Sequence, residues 1–294
     1  MLKTETPSQE HAGLDQYPVA VLVETLIADQ LNAVAAVRAA AGVIAAVVEA
    51  AVPRIAAGGR LIYVGAGTSG RLGVLDCVEL HPTFSWPHER ALSLLAGGKG
   101  AMFQAVEGAE DDSKQGFLDL AALLPRANDV VMLLAASGST PYVLGALDAA
   151  RTAGALTVGI ANNVDAPVAT RAEFGITLDT GQEVISGSTR LKAGTSQKIV
   201  LNTISSAIMV RLHKVHGNLM VDMKATNAKL LRRAVALTMH ATGADAASAH
   251  FVLEQCDYHV KAAIVVLLRQ VPVARARALL DQTEGSVRAA LLLQ

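Results

Sequence analysis

Between Pro18 and about Ala57 apolar residues recur at helical spacing, interrupted by Glu24, Asp29, Arg38 and Glu49. The pattern predicts N-terminal helices, divided near Gly42 because glycine weakens a helix interior. Pro53 lies near the end of the run, and Gly58-Gly59 stops it. The polar residues 1 to about 15 read as a flexible lead-in.

Beyond Gly59 the period changes. Short β-type runs at 61–64, 92–95, 130–135, 156–160 and 174–178 alternate with helical stretches at 70–78, 113–124, 141–153 and 166–170. Apolar strands separated by helices predict a parallel sheet covered on both faces. Such sheets bind ligands at the carboxyl ends of their strands. A long helix is expected over 188–216. After Asp222 only helical patterns remain, near 227–241, 245–255, 258–268, 273–280 and 284–293. The expected organisation is N-terminal lead-in and helices (1–54), an α/β domain (55–222) and a helical C-terminal module (223–294).

Composition narrows the function. With 52% hydrophobic residues and 3% aromatics among 294, alanine, valine and leucine fill a large core. Lys and Arg number 25 against 26 Asp and Glu, so net charge gives no reason to expect nucleic acid or an anionic membrane as partner. Charges break the apolar stretch 19–57, and no membrane span is expected there. The N-terminus does not read as a signal peptide. The two cysteines have no metal-ligand spacing, which fits a reducing cytoplasm.

The candidate chemistry starts after the first strand, at Gly65-Ala66-Gly67-Thr68-Ser69-Gly70. A glycine turn that opens a helix presents unpaired N–H groups and the positive end of the helix dipole, so it suits an anion. Three ligands compete. A dinucleotide needs an acid at the end of the second strand, where Leu95-Ala96-Gly97-Gly98 stands. A P-loop needs Lys and then Ser or Thr after the last glycine, where Arg71 and Leu72 stand. A sugar phosphate needs neither. A plain turn with tight helix packing is the bland alternative.

A second loop, Ala136-Ser137-Gly138-Ser139-Thr140-Pro141, follows the 130–135 strand. Pro141 suits a first helical turn, and Ser139 or Thr140 suits its cap. Two hydroxyl-rich loops after strands fit a phosphate monoester held without metal. A third segment, 186–195, combines Ser188 and Lys192 with further small hydroxyls. It reads either as closure over the anion or as a solvated helix start.

Two carboxylate positions stand out. Glu79 is expected at the end of the helix that starts at the first loop, with Pro82 as its stop. The negative end of the helix dipole suits a proton donor there. Glu107, Glu110, Asp111 and Asp112 crowd one loop; Asp112 or Ser113 would cap the next helix, and crowding suits a proton acceptor. A surface glutamate and a solvated acidic turn are the alternatives. The histidines form no metal set, so neither metal nor cofactor is expected.

Taken together, VGAGTSGRLGVLD, PTF, EGAED, AASGSTPYV, SGSTRLKAGTSQK and VHGNLMVDMKATNAKL closely resemble the N-acetylmuramic acid 6-phosphate etherases, members of the sugar-isomerase (SIS) superfamily of phosphosugar-binding domains. The resemblance runs from about Ile55 to Lys229, and more loosely through the tail. It implies a three-layer α/β/α SIS domain with a central, mainly parallel five-stranded sheet, and a ubiquitin-associated-like C-terminal module. It also implies a cytoplasmic homodimeric enzyme that splits N-acetylmuramate 6-phosphate into N-acetylglucosamine 6-phosphate and D-lactate. Glu79 and Glu110 fall on the family's catalytic glutamates. Phosphate and sugar contacts would come from Gly67, Thr68, Ser69, Ser137, Ser139, Thr140, Ser188 and Lys192. Leu80 and His81 depart from the family's usual Cys-Pro after the first glutamate. A non-catalytic phosphosugar-binding regulator and an aldose–ketose isomerase share the superfamily and remain alternatives.

Overall fold

The computed structural model describes residues 2–223, 225 and 227–293. These fall into two compact units: residues 1–78 with 88–205, and residues 79–87 with 206–294.

The first unit opens with three helices, α1 (Val19–Asp29), α2 (Leu31–Ala39) and α3 (Ala41–Ala56). The breaks fall at Gln30 and Ala40; the expected division at Gly42 does not occur, and Gly42 lies inside α3. At the first break Gln30 accepts a hydrogen bond from the Thr195 hydroxyl (2.7 Å), beside Asp29, which pairs with Lys192. The run Val19–Ala39 spans 21 residues and is, contrary to the sequence expectation, long and apolar enough by composition to cross a membrane. The first residues are no flexible lead-in either. They form two short 3-10 turns, Lys3–Glu5 and Leu14–Gln16. Thr4 is fully buried: its hydroxyl accepts from the Asn163 amide (3.0 Å), and its carbonyl accepts from Gly187 N–H (3.2 Å). Those partners are too far along the chain for any local pattern to reveal them.

The sheet contains β1 (Leu61–Gly65), β2 (Ala91–Leu95), β3 (Val130–Leu134), β4 (Leu156–Ala161) and β5 (Phe174–Thr177). Its order is β2-β1-β3-β4-β5 and every pairing is parallel. β1, β3 and β4 are buried throughout, as their unbroken apolar runs require. On one face Ile62, Val64, Val131 and Leu133 pack with Leu120 of α5 (Ser113–Ala122) and with Tyr142, Val143, Ala146 and Leu147 of α6 (Pro141–Thr152). Each buried Val, Leu or Ile among these contributes about 1.5–3 kcal/mol. Gly116 and Gly145 let these two helices touch, since a Cβ would fall 1.9 Å from the Tyr142 carbonyl oxygen and 1.8 Å from that of Ser113.

On the other face the Tyr63 hydroxyl donates to Asp76 (2.7 Å). Asp76 belongs to α4 (Gly67–Phe84) and also accepts from Asn202 (2.6 Å) and Ser205 (3.3 Å). Burial, and then the Asp76 charge, push the Tyr63 phenol well up from its ordinary range. Pro82 does not stop α4 as expected. The helix passes through it to Phe84, and the left-handed Ser85 (φ 49°) follows. Proline forfeits one i→i−4 bond and its ring crowds the carbonyl four residues back, but only two further residues of the helix follow it. A short helix, α7 (Pro167–Arg171), precedes β5, and α8 (Lys192–Arg211) follows it. This last helix starts later than expected because the buried Glu183 carboxylate accepts from the N–H groups of Lys192 (3.2 Å) and Ala193 (3.0 Å).

The second unit contains α9 (Ala228–Thr242), α10 (Ala246–Gln255), α11 (Val260–Arg269), α12 (Val273–Gln282) and α13 (Val287–Leu292). Leu253, Val260, Ile264 and Leu279 form its core. Asp222 accepts from both Lys214 (2.6 Å) and Lys261 (2.9 Å). Asn227, Asp245 and Ser286 cap α9, α10 and α13 through their side chains. The last helix is shorter than expected, because Glu284 and Gly285 are left-handed and Ser286 resets the start.

Both cysteines are free and buried. Burial, the dominant cause, pushes the Cys77 thiol up to about 11 and raises that of Cys256. The reactive thiolate is therefore scarce at neutral pH. Native protein at pH 8 should take up almost no iodoacetamide, whereas protein in denaturant should take up two equivalents; mass spectrometry distinguishes the two, and ready native alkylation would contradict the burial.

Candidate active site

Two strand ends, those of β1 and β3, carry the loops of the site. β1 runs into α4 through Gly65-Ala66-Gly67, and Gly70 has no room for a side chain: a Cβ there would lie 2.6 Å from the Gly65 carbonyl oxygen. The close turn brings Gly67, Thr68 and Ser69, the first residues of α4, to the sheet's carboxyl edge. β3 runs into α6 through residues 135–140. Gly138 takes a left-handed φ of 77°, which favours glycine, and its carbonyl accepts from Val168 N–H (2.9 Å). Pro141 occupies the first turn of α6 as expected. Thr140 stands at the N-cap without a side-chain capping bond, so its hydroxyl is not used to hold the helix.

These loops border a cavity of about 350 Å³. Ala66, Gly67, Thr68 and Ser69 line it from the first loop; Ser137, Ser139 and Thr140 line it from the second. With strand order β2-β1-β3-β4-β5, the connections after β1 and β3 leave the sheet in opposite directions. The cavity occupies that switch point, where open α/β sheets bind ligands.

The acidic loop completes the rim. Residues Ala109–Asp111 form a 3-10 turn, and Glu110 and Asp111 both line the cavity. Asp112 caps α5, its carboxylate accepting from Gln115 N–H (2.8 Å), so one of the four acids has a structural role and two face the cavity. The tight contact between α5 and α6 holds this turn beside the second hydroxyl loop.

The remaining expected residues lie elsewhere. Ser188 does not line the cavity, but its neighbour Thr189 does. Lys192 does not line it either: its buried ammonium, 4% exposed, is held by Asp29 at 2.6 Å. Glu79 is exposed on α4, twelve residues beyond Gly67 (79 − 67), and is not among the lining residues. His81 places Nδ1 2.9 Å from the Trp86 carbonyl oxygen. Among the described residues no group of three or more His, Cys, Asp or Glu could hold a metal.

Sequence reasoning missed Glu5, which lines the cavity from the N-terminal segment. No motif marks it; only the anchoring of Thr4 brings it there. Asp111 and Thr189 lie within segments that the sequence marks, next to Glu110 and Ser188.

The chain resembles known proteins over nearly all its length. A model described as the glucokinase regulatory protein N-terminal SIS domain matches residues 43–151, and the SIS domain model matches residues 105–207. The chain is 55% identical over 289 residues to the N-acetylmuramic acid 6-phosphate etherase of Deinococcus radiodurans, covering 98% of this chain and 95% of that protein. It is 49% identical over 291 residues to the etherase of Pectobacterium atrosepticum, covering 99% and 96%. With the etherase of Salmonella enteritidis it shares 47% over 290 residues, covering 99% and 98%.

Proposed function

The chain belongs to the N-acetylmuramic acid 6-phosphate etherase family, and from that premise we propose how its cavity carries out the reaction. The enzyme cleaves the lactyl ether of N-acetylmuramate 6-phosphate, giving N-acetylglucosamine 6-phosphate and D-lactate. The reading of the site rests on one observation: both hydroxyl-rich loops and Glu110 line the same cavity.

The phosphate is held by Gly67, Thr68 and Ser69 at the start of α4, and by Ser137, Ser139 and Thr140. Hydroxyls and helix N–H groups suit a dianion without a metal. Opening of the sugar ring leaves an aldehyde at C1, which makes the C2 proton acidic. Glu110 removes that proton. The lactyl oxygen leaves C3 as an acid protonates it, and a C2–C3 double bond forms. Water then adds at C3, and a proton returns to C2. The sum is substrate plus water giving amino-sugar phosphate plus lactate.

Glu79 is the second carboxylate in this scheme, the acid toward lactate and the base toward water. Twelve residues of helix rise place it about 18 Å from Gly67, further than a bound sugar phosphate extends. We therefore assign the Glu79 role to a second copy of the chain, in a symmetric dimer. The exposed apolar residues Val19, Ile27 and Leu31 of α1 and α2 favour such a partner. We further place the reaction in the cytoplasm, in salvage of cell-wall amino sugars.

Turnover in heavy-oxygen water tests the chemistry. Elimination and hydration should put the label in N-acetylglucosamine 6-phosphate and none into lactate. Label in lactate instead would mean that the other carbon–oxygen bond of the ether breaks. A ketose phosphate without lactate would indicate an isomerase, and binding without turnover a regulator.

A further inference from the structure

We propose that Glu5 is a sugar-binding residue, a carboxylate carried on an N-terminal strap that accepts hydrogen bonds from the hydroxyl and acetamido N–H groups of the substrate. The inference rests on the phosphate assignment above and adds a contact to the sugar.

The strap is fastened at several points. Thr4 is buried and paired with Asn163, Gly187 N–H donates to the Thr4 carbonyl, and Ser8 N–H donates to the Ser186 hydroxyl (3.2 Å). Lys3 pairs with Asp179 (2.6 Å). Glu5, between these anchors, faces the cavity. Its carboxylate lies against Gly187, where a Cβ would come within 3.2 Å of Oε2. Gly187 thus lies in contact range of the Glu5 carboxylate, two residues before Thr189, another lining residue.

Charge orders the ligand. Glu5, Glu110 and Asp111 line the cavity, and neither Lys nor Arg does among the described residues. The phosphate dianion is repelled from the carboxylates and goes to the hydroxyl loops. The acceptor-only carboxylates then face the part of the substrate rich in donors. Glu110 is committed to proton transfer. Glu5 and Asp111 remain to bind, and Glu5, carried by the anchored strap, binds ground state and transition state alike, so its removal raises KM with little change in kcat.

The experiment compares Glu5→Ala, Glu5→Gln and the unaltered enzyme for lactate release, and adds inorganic phosphate as a competitive inhibitor. Glu5→Ala should raise KM about tenfold or more, as loss of a charge-assisted hydrogen bond does. Its kcat and its inhibition constant for phosphate should stay within about twofold. Glu5→Gln keeps one acceptor oxygen and should recover part of the KM. An unchanged KM in Glu5→Ala overturns the proposal. So does a joint loss of substrate affinity and phosphate inhibition, which would mean that the strap only holds the cavity's shape. Failure of phosphate to inhibit the unaltered enzyme would count against the loop assignment instead, and the KM of Glu5→Ala would still decide the role of Glu5.

Discussion

Replacing Glu110 with glutamine should lower kcat by about 10²–10⁴-fold, the loss that follows removal of a positioned general base. Phosphate should still inhibit competitively, since Thr68, Ser69, Ser137 and Thr140 are untouched. The fold should survive, because among the described residues Glu110 makes no ion pair and lies in a 3-10 turn held by its neighbours. Proton exchange gives a second readout. The unaltered enzyme working in deuterium oxide should leave deuterium at C2 of N-acetylglucosamine 6-phosphate, and the variant should do so only at its residual rate. A variant with full lactate release would remove Glu110 from the mechanism. Co-expression with Glu79→Gln extends the test to the second copy. In a symmetric dimer sharing its sites, a mixed dimer holds one site with both glutamates and one with neither, so random pairing restores about a quarter of the activity. No recovery would mean that each chain supplies both groups itself or that the roles are wrongly assigned.

The layout of the sheet was readable because it depends on local signals. Unbroken apolar runs such as Val130 to Leu134 mark buried parallel strands, and glycine or proline sets the turns beside them. The phosphate loops were readable for the same reason: glycines, hydroxyls and Pro141 lie within a few residues of one another and of a strand end. What stayed hidden depends on contacts between distant segments. Thr4 with Asn163, Lys192 with Asp29 and Glu183 with the start of α8 carry no mark in their own neighbourhoods. A lysine beside hydroxyls looked like an anion ligand; only the fold shows its charge taken by Asp29. The misplaced end of α4 has a local origin instead. Pro82 is a stop signal in general, yet in a last turn it removes too little to end the helix.

A stability effect of comparable weight is expected at the opposite edge of the sheet, where no ligand is involved. Asp129 precedes β3 and is 2% exposed at its side chain; Arg60 precedes β1 and is 18% exposed. The Arg60 guanidinium meets the carboxylate at 2.5 Å, and the backbone N–H groups of Arg60 and Arg126 donate to it at 2.9 Å each. Arg60 also donates to the carbonyls of Leu123 (2.9 Å) and Leu124 (3.0 Å). Alanine at 129 would leave a largely buried guanidinium without its counter-charge and two N–H groups without an acceptor. The expected loss is about 3–5 kcal/mol, the range for breaking one half of a buried pair. Asparagine keeps an acceptor and should lose less. The effect has a definite pH dependence. Burial pushes the Asp129 carboxyl up, but the hydrogen bonds from Arg60 and Arg126 outweigh it and hold the group below its ordinary value. Its contribution is therefore complete above the unfolded value, near 3.9, and fades as pH falls through the folded one. Urea melts should show a constant gap between the unaltered protein and Asp129→Ala from pH 7 to 5, narrowing below about pH 4. They should be followed by circular dichroism, since Trp86, the one tryptophan, belongs to the second unit and its fluorescence would report the wrong half. A gap that persists unchanged to pH 2 would show that the stabilisation does not come from the ionised carboxylate, and equal melts at pH 7 would show that the Arg60 pair repays only its own desolvation.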